Sequence, residues 1–324
     1  MPTQQAEATT LLKDMMRVRR MEELCAELYT QEKIRGFLHL YIGEEAVAVG
    51  VLSQARKTDN VVATYREHGH ALLKGLSARS IFAEMYGRID GCSRGRGGSM
   101  HLFSNAQRFF GGNAIVGGGL PQAIGLAYAA RALKEDRHTF CFFGEGAVAE
   151  GSFHESLNLA ALWNLPVLLC CENNLYAMGT ALSRSESQTR LTEKAQAFGI
   201  RSLSCDGMNV LEVAETTRKA LDDIRSEGRP VFIEFKTYRF RPHSMFDPEL
   251  YRQKSEVEEW KKRCPIESLR IQLIQSGQID DAKIKLIQQD IEQEMLDAMA
   301  FAERSPLEDA ARLEDFLYSS EVIK

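Results

Sequence analysis

The segment Gly144-Glu145-Gly146-Ala147-Val148-Ala149-Glu150-Gly151 decides the fold, because it stands between an apolar run at 138–143 and a helical stretch at 152–163. An apolar run, a glycine-rich turn and a helix predict a strand whose carboxyl end leads into a helix amino terminus. Backbone amides at such a terminus bind anions, including phosphate. The third glycine, Gly151, comes two residues too late for the nicotinamide-dinucleotide fingerprint, which argues against that class of cofactor.

Apolar runs and helical stretches alternate along the chain on the carboxyl side of this segment. Runs at 138–143, 166–171, 202–205 and 230–238 alternate with helical patterns at 152–163, 192–198 and 210–226. Strand, helix and strand at this spacing predict an α/β fold, a mostly parallel sheet with helices on both faces. Ligands of such folds bind beyond the carboxyl ends of the strands.

Polar residues follow the second apolar run in the sequence Glu172-Asn173-Asn174-Leu175-Tyr176. Because the ends of adjacent parallel strands lie side by side, Glu145 and this segment are expected to meet. The carboxylate of Glu145, the amide oxygen of Asn174 and the main-chain carbonyl of Tyr176 are hard oxygen ligands of the kind that Mg²⁺ prefers. The sequence therefore predicts a magnesium ion that bridges the protein and a phosphate group.

The regions on either side are helical. Apolar residues between 6 and 34 recur at three- and four-residue intervals and predict an amphipathic helical arm, and residues 255–324 predict a charged helical tail. Between 87 and 119 the chain is rich in glycine, which indicates tight turns or close approach to a ligand. No low-complexity linker or internal repeat divides the chain, so we expect a single domain over residues 1–324.

Composition excludes several classes of function. The 324 residues include 40 Lys and Arg against 45 Asp and Glu, so the formal charge of -5 argues against a nucleic-acid partner. The longest apolar stretches, such as 166–171, fall far short of the roughly 20 residues of a membrane span. Residues 1–20 lack a secretory signal pattern, and the seven cysteines include no Cys-x-x-Cys pair. We therefore expect a cytoplasmic protein whose thiols are packing residues.

Longer motifs carry a resemblance to a known family. The pair of motifs at 144–151 and 172–174 resembles the signature of thiamine diphosphate enzymes, which opens with Gly-Asp-Gly and closes with Asn-Asn. The run from Glu150 to Trp163 resembles the alpha subunits of the 2-oxo acid dehydrogenases, in particular those that act on pyruvate. The resemblance covers nearly the whole chain and includes the motifs at 65–69, 97–101, 237–239 and 243–245.

This resemblance implies a cofactor site made of identified residues. The cofactor is thiamine diphosphate with Mg²⁺, and the implied metal ligands are Glu145, Asn174 and Tyr176. The implied catalytic residues are His243 and His68, since histidine can move a proton near neutral pH. The other residues implied to contact the cofactor, together with the metal ligands and His243, are Tyr65, Arg66, Ala106, Ala114, Val116, Gly146 and Ala147.

The resemblance also implies a reaction and partners. The expected activity is oxidative decarboxylation of pyruvate, followed by transfer of the acetyl group to the lipoyl arm of a dihydrolipoyl acetyltransferase core. A beta subunit supplies the glutamate that activates the cofactor, so we expect an α₂β₂ heterotetramer and an inactive isolated alpha chain. Acetoin and branched-chain 2-oxo acid dehydrogenase alpha subunits share the scaffold and remain alternatives. A non-catalytic scaffold subunit that has lost its metal site is a further alternative.

The chain departs from the family pattern at three places near the expected site. Glu145 stands where most members have aspartate, and its side chain is one methylene longer, although Mg²⁺ tolerates little deviation from octahedral geometry. Ala114 replaces a common glycine, and Arg241 with Pro242 precedes His243. We expect Glu145 to bind magnesium nevertheless. Ser244 aligns with a serine that is an inhibitory phosphorylation site in mitochondrial members of the family, and we interpret it here as a loop serine.

Overall fold

The centre of the molecule is a parallel five-stranded sheet, seen in a computed structural model that describes residues 4–316. In chain order the strands are β1 (Asn60–Val62), β2 (Thr139–Gly144), β3 (Val167–Asn173), β4 (Tyr176–Ala177), β5 (Thr180–Ala181), β6 (Arg201–Asp206) and β7 (Val231–Lys236). The main sheet has the order β1-β2-β3-β7-β6, with every neighbouring pair parallel, while β4 and β5 form a small antiparallel hairpin. The α/β class predicted from the sequence is confirmed.

Helices cover the sheet and extend from it. They are α1 (Gln4–Thr30), α2 (Glu45–Leu52), α3 (His68–Lys74), α4 (Ala78–Met85), α5 (Gly119–Ala132), α6 (Gly151–Leu162), α7 (Leu182–Ser185), α8 (Leu191–Gln196), α9 (Val210–Glu227), α10 (Lys254–Lys261), α11 (Pro265–Gln275) and α12 (Asp281–Arg304). Short 3-10 turns lie at Gly98–Met100, Glu145–Ala149 and Ala310–Arg312. Within residues 4–316, no helix combines the length and the apolar character that a bilayer crossing requires.

The sheet separates two hydrophobic cores. Successive side chains of a strand point to opposite faces, and on β2 Phe140 and Phe142 enter the core that includes α1, α2 and α9. Cys141 and Phe143 enter the other core, which includes α5, α6 and α8. Burial on both faces explains why β2 and β3 appear in the sequence as continuous apolar runs rather than alternating ones.

The amino-terminal arm and the carboxyl-terminal helices pack on each other. Arg17 of α1 binds Glu294 of α12 at 2.5 Å, and Arg20 binds Glu292 at 2.6 Å. The arm ends at Thr30 rather than 34, and in the tail the long helix α12 ends at Arg304. The predicted tail residues 317–324 lie outside the described part of the chain. The single-domain organisation stays a prediction.

Buried Glu84, on α4, organises the glycine-rich loop at 91–98. Its carboxylate accepts hydrogen bonds from the backbone amides of Ser93 at 2.7 Å, Gly95 at 2.8 Å, Gly97 at 2.7 Å and Gly98 at 3.2 Å. A buried carboxylate is stable in this environment because several amides donate to it. The glycine content of this loop therefore reflects wrapping around a side chain.

Candidate active site

A cavity of about 250 Å³ opens where β2 and β3 end, at the carboxyl edge of the sheet. This is the edge at which ligands bind in open parallel sheets. Most of the residues predicted from the sequence line the cavity, namely Tyr65, Arg66, Val116, Glu145, Gly146, Ala147, Asn174, Tyr176 and His243. The structure therefore brings together side chains that are up to 178 positions apart in the chain (243 minus 65).

Glu145 and Asn174 meet at the floor of this cavity. The Asn174 backbone amide donates to Glu145 Oε2 at 3.2 Å, whereas Glu145 Oε1 is buried without a hydrogen-bond partner among the described residues. Burial raises the pKa of the Glu145 carboxyl from 4.5 to about 7, against the opposing effect of the backbone amides of Glu145 and Asn174. One carboxylate oxygen thus remains available for a ligand.

Tyr176 approaches the same point with its main chain. Its backbone amide donates to Asn174 Oδ1 at 3.3 Å, a local turn typical of asparagine. Its hydroxyl points elsewhere and donates to Glu256 at 3.0 Å. The hydroxyl of Tyr176 is therefore bound to Glu256, whereas its backbone lies beside the Asn174 side-chain amide.

Two buried arginines give the cavity positive charge. Arg66 donates to the carbonyl oxygens of Leu40 at 2.7 Å and His243 at 2.8 Å, so its guanidinium is held in place. Burial and the nearby Arg239 lower the pKa of Arg66. Two guanidinium groups this close in a desolvated site favour an anionic ligand, which offsets their repulsion.

Three aromatic rings stand together at one side of the cavity. The ring centroids of His39 and Tyr65 are 4.5 Å apart, and those of His39 and His243 are 5.0 Å apart. Burial and Arg66 lower the pKa of His39 to about 2 and that of His243 to about 3. Both imidazoles are therefore neutral at pH 7, and the Nδ1 atom of each is buried with no hydrogen-bond partner in residues 4–316.

Sequence comparison identifies the family to which this arrangement belongs. The family model described as dehydrogenase E1 component matches residues 13–311.

The chain belongs to the dehydrogenase E1 component family.

Curated relatives of this E1 chain have similar lengths. It is 41% identical over 308 residues to the pyruvate dehydrogenase E1 component subunit alpha of Rickettsia conorii, covering 94% of each chain. It is 43% identical over 295 residues to the protein of that name from Zymomonas mobilis, covering 90% of this chain and 83% of the relative. The Rhizobium meliloti protein of that name is 41% identical over 302 residues, with 93% and 87% covered. The family resemblance predicted from the sequence is confirmed.

The site of this E1 chain fits the thiamine diphosphate on which the family depends. Arg66 and Arg239 can balance a diphosphate, and Glu145, which lines the same cavity, has one carboxylate oxygen without a hydrogen-bond partner among the described residues. Gly146 packs closely against the β4–β5 hairpin, where a side chain would not fit, since a Cβ at this position would lie 2.5 Å from the Ala177 Cβ. The amides of Gly146 and Ala147 belong to the 3-10 turn at Glu145–Ala149, because α6 begins only at Gly151.

Three residues predicted for the site do not line the cavity of this E1 chain. His68 is fully buried elsewhere, with Nδ1 at 3.1 Å from Glu22 and Nε2 at 2.8 Å from the Ser99 hydroxyl. Ala106 is exposed on a loop. Ala114 is also exposed, although its neighbours Asn113 and Ile115 line the cavity. The catalytic role of His68 and the cofactor contacts of Ala106 and Ala114 stay predictions.

Three residues at the cavity had no role predicted from the sequence. Glu44 and Arg239 line the cavity, and His39 packs against His243, which also lines it. One feature of the sequence could have identified His39, because it is an isolated ionisable residue within the apolar run at 37–42. Arg239 was noted only as part of a motif. Glu44 is followed directly by Glu45, and the sequence does not show which of the two glutamates faces the cavity. In the structure Glu44 lines the cavity, whereas Glu45 binds Arg19.

Proposed function

We propose that this E1 chain is the alpha subunit of a pyruvate dehydrogenase. It would act on pyruvate with thiamine diphosphate and Mg²⁺ and pass the acetyl group to the lipoyl group of a dihydrolipoyl acetyltransferase. The observation that carries the proposal is the joint presence of Arg66, Arg239 and the free Glu145 oxygen in one buried cavity. The names of the relatives support pyruvate as the substrate.

In this proposal Glu145, Asn174 and Tyr176 hold the magnesium ion. Their contributions are a carboxylate oxygen, an amide oxygen and a main-chain carbonyl, which suit a hard divalent cation that also keeps water and phosphate ligands. The contact between Asn174 and Glu145 keeps two of these groups together before any ion arrives. The ion would neutralise the buried carboxylate and thereby offset its cost of burial.

The diphosphate would be bound by the side chains of Arg66, Arg239 and Tyr65 and by the backbone amides of Gly146 and Ala147. The hydrogen bonds of Arg66 to two carbonyl oxygens orient its guanidinium before binding. When bound, thiamine diphosphate supplies the nucleophilic carbon and the electron sink that decarboxylation of a 2-oxo acid requires. The wall residue Val116 would exclude water from part of the site.

His243 is the proposed proton-transfer residue at this site. Its imidazole is neutral at pH 7 because burial and Arg66 lower its pKa to about 3, so it is a proton acceptor rather than a cation. An anion between the two arginines is expected to raise this pKa toward neutrality, where general acid-base catalysis is most effective. The catalytic role implied for His68 stays a prediction, since His68 is buried against Glu22 and Ser99 outside the cavity.

A beta subunit would complete the site in an α₂β₂ heterotetramer. Apolar side chains at the rim of the cavity are well exposed, Ile115 at 71%, Met178 at 65% and Val116 at 46%. Exposed apolar groups around a cavity mouth favour a protein partner. We also propose a cytoplasmic location, which agrees with seven free cysteines.

Reconstitution tests this proposal directly. The chain is co-expressed with its beta subunit and supplied with thiamine diphosphate, Mg²⁺ and a lipoyl domain. We expect carbon dioxide release and lipoyl acetylation from pyruvate, with little reaction of a branched 2-oxo acid or acetoin, and no activity of the alpha chain alone. Preference for a branched substrate or acetoin would reassign the substrate, and absence of cofactor binding in the complex would favour a scaffold subunit.

A further inference from the structure

Glu44 is a buried carboxylate in the wall of the cavity. It immediately precedes α2 and is 1% exposed. Its Oε1 accepts a hydrogen bond from the side-chain amide of Asn174, with Nδ2 at 3.0 Å. Its Oε2 has no hydrogen-bond partner among residues 4–316, and the nearest cation is Arg66, with Nε at 3.9 Å.

The hydrogen bond from Asn174 determines which way that amide faces. The Glu44 oxygen at 3.0 Å accepts a hydrogen bond from Asn174, whereas an asparagine amide can present either its NH₂ group or its oxygen to a neighbour. With the NH₂ group directed at Glu44, Asn174 Oδ1 faces the opposite side, where the Tyr176 amide lies at 3.3 Å and Arg239 Nη1 at 3.5 Å. The contacts with Glu44 and with the Tyr176 backbone N–H thus favour the same orientation of the Asn174 side-chain amide.

We propose that Glu44 is a positioning residue that fixes the Asn174 amide so that its oxygen is presented to the divalent cation. This inference rests on the cation site of the proposed function. Groups that hydrogen-bond to a metal ligand orient it and typically account for a 10–100-fold difference in metal affinity. The hydrogen bond between Glu44 and Asn174 is made within the chain, so the cation is not needed to set the orientation of this ligand.

The chain contains a matched control one residue away. Asn173 Nδ2 donates to Glu234 Oε1 at 2.7 Å, so a second buried asparagine is held by a second buried glutamate. Both residues are 5% exposed, and neither lines the cavity. Loss of Glu234 therefore breaks the same kind of hydrogen bond without freeing a cation ligand.

The experiment measures Mn²⁺ binding by electron paramagnetic resonance in the co-expressed complex, at saturating thiamine diphosphate and without substrate. Methionine matches glutamate in length but accepts no strong hydrogen bond, so Glu44→Met should weaken Mn²⁺ binding about 10–100-fold. Glu44→Gln should restore most of the affinity, because its amide oxygen can accept from Asn174. Glu234→Met should stay within about twofold of the wild type, since Glu234 does not hydrogen-bond to any of the proposed cation ligands.

Turnover gives a second readout with the same variants. Glu44→Met should need more Mg²⁺ for half-maximal rate while kcat at saturating Mg²⁺ changes little. If Glu44→Met fails to fold, Glu44→Asp carries the test, since its carboxylate is one methylene too short to reach Asn174 and should also weaken Mn²⁺ binding.

Two outcomes would overturn the inference and leave the proposed function standing. The first is Mn²⁺ affinity of the folded Glu44 variant within about twofold of a wild type that binds the ion. The second is an equal loss in Glu234→Met, which would indicate a general structural effect. A wild-type complex that shows no cofactor-dependent Mn²⁺ binding would instead overturn the proposed site and the inference together.

Discussion

Glu145 and Asn174 are joined across the ends of two adjacent strands, with the Asn174 backbone nitrogen 3.2 Å from one Glu145 carboxylate oxygen. The backbone amide of Glu145 also donates to this carboxylate, so the side chain turns back toward the loop that carries it. This conformation draws the carboxylate back toward the main chain, which offsets part of the length that glutamate has over aspartate. The second oxygen stays buried and unpartnered among the described residues.

Replacing Glu145 should remove metal-dependent cofactor binding. Glu145→Ala deletes the free carboxylate oxygen, and we expect no Mg²⁺-dependent binding of thiamine diphosphate by calorimetry of the complex. Glu145→Asp should retain binding, because aspartate supplies the same donor from a shorter side chain. Unchanged binding by Glu145→Ala would show that the ion is held elsewhere.

A methyl group at Gly146 should obstruct the cofactor pocket. Its Cβ would lie 2.5 Å from the Ala177 Cβ, so the hairpin or the 3-10 turn must move. Overpacking of this kind costs about 1–3 kcal/mol, which corresponds to about a 5–150-fold loss of cofactor affinity if the strain appears on binding. Titration of the complex with thiamine diphosphate measures this loss.

Gly125 provides the control for this substitution. It lies on α5, and a Cβ there would meet nothing within 4 Å. Gly125→Ala should leave cofactor affinity unchanged and raise the unfolding free energy by about 0.5–1 kcal/mol, because alanine is the better helix former. Equal losses of affinity in both variants would exclude the proposed obstruction at Gly146.

Glu67 should make the stability of the protein dependent on pH. Burial raises the pKa of its carboxyl well above 4.5, opposed only by a hydrogen bond from the Leu102 amide at 2.7 Å. Its contribution to stability is therefore complete below the unfolded pKa and is lost as the pH rises through the folded pKa. Glu67→Gln should therefore stabilise the protein at pH 8 and give a smaller gain at pH 5, because an amide carries no charge to bury.

Urea unfolding of the wild type and variant at the two pH values measures this difference. Glu84→Gln is the contrasting variant, since the Glu84 carboxylate accepts four backbone amides. It should lose stability at both pH values, because an amide nitrogen replaces one accepting oxygen. A gain for Glu67→Gln that is no larger at pH 8 than at pH 5 would contradict the assignment of a raised pKa.

His243 and His68 should respond differently to the same substitution. His243→Gln removes the imidazole at the cavity and should lower kcat about 10²–10⁴-fold, the usual contribution of a general acid or base, with little change in Tm. His68→Gln breaks buried contacts with Glu22 and Ser99 and should lower stability by about 1–3 kcal/mol while cofactor affinity is retained. Thermal unfolding and steady-state kinetics separate the two. A large kcat loss in a stable His68→Gln protein would place His68 in the chemistry.

The parallel sheet and the centre of the site could be predicted because the residues that indicate them are adjacent in the sequence. The apolar runs of β2 and β3 are continuous since both faces are covered, and each is followed at once by its polar residues, Glu145 and Asn174. In contrast, β1 has only three residues, and α2, α3 and α4 lie between residues 45 and 85, where no secondary structure was predicted from the sequence.

The remaining site residues depend on tertiary contacts that no local pattern encodes. Glu44 reaches Asn174 across 130 positions, and His39 reaches His243 across the gap between two distant loops. His68 shares a motif with Tyr65 and Arg66, yet it is the first residue of α3 and is buried against Glu22 of α1. A motif therefore identified the neighbourhood of His68 but not the direction of its side chain.

The strand order has a consequence for how the chain is made. Strand β7 lies between β3 and β6, although it is the last of the three to leave the ribosome. A parallel sheet of this order pairs segments distant in sequence, so it closes slowly and late in synthesis. Nascent chains that end before Val231 lack β7, so the backbone groups of β3 that pair with it are left open, and an open strand edge favours aggregation.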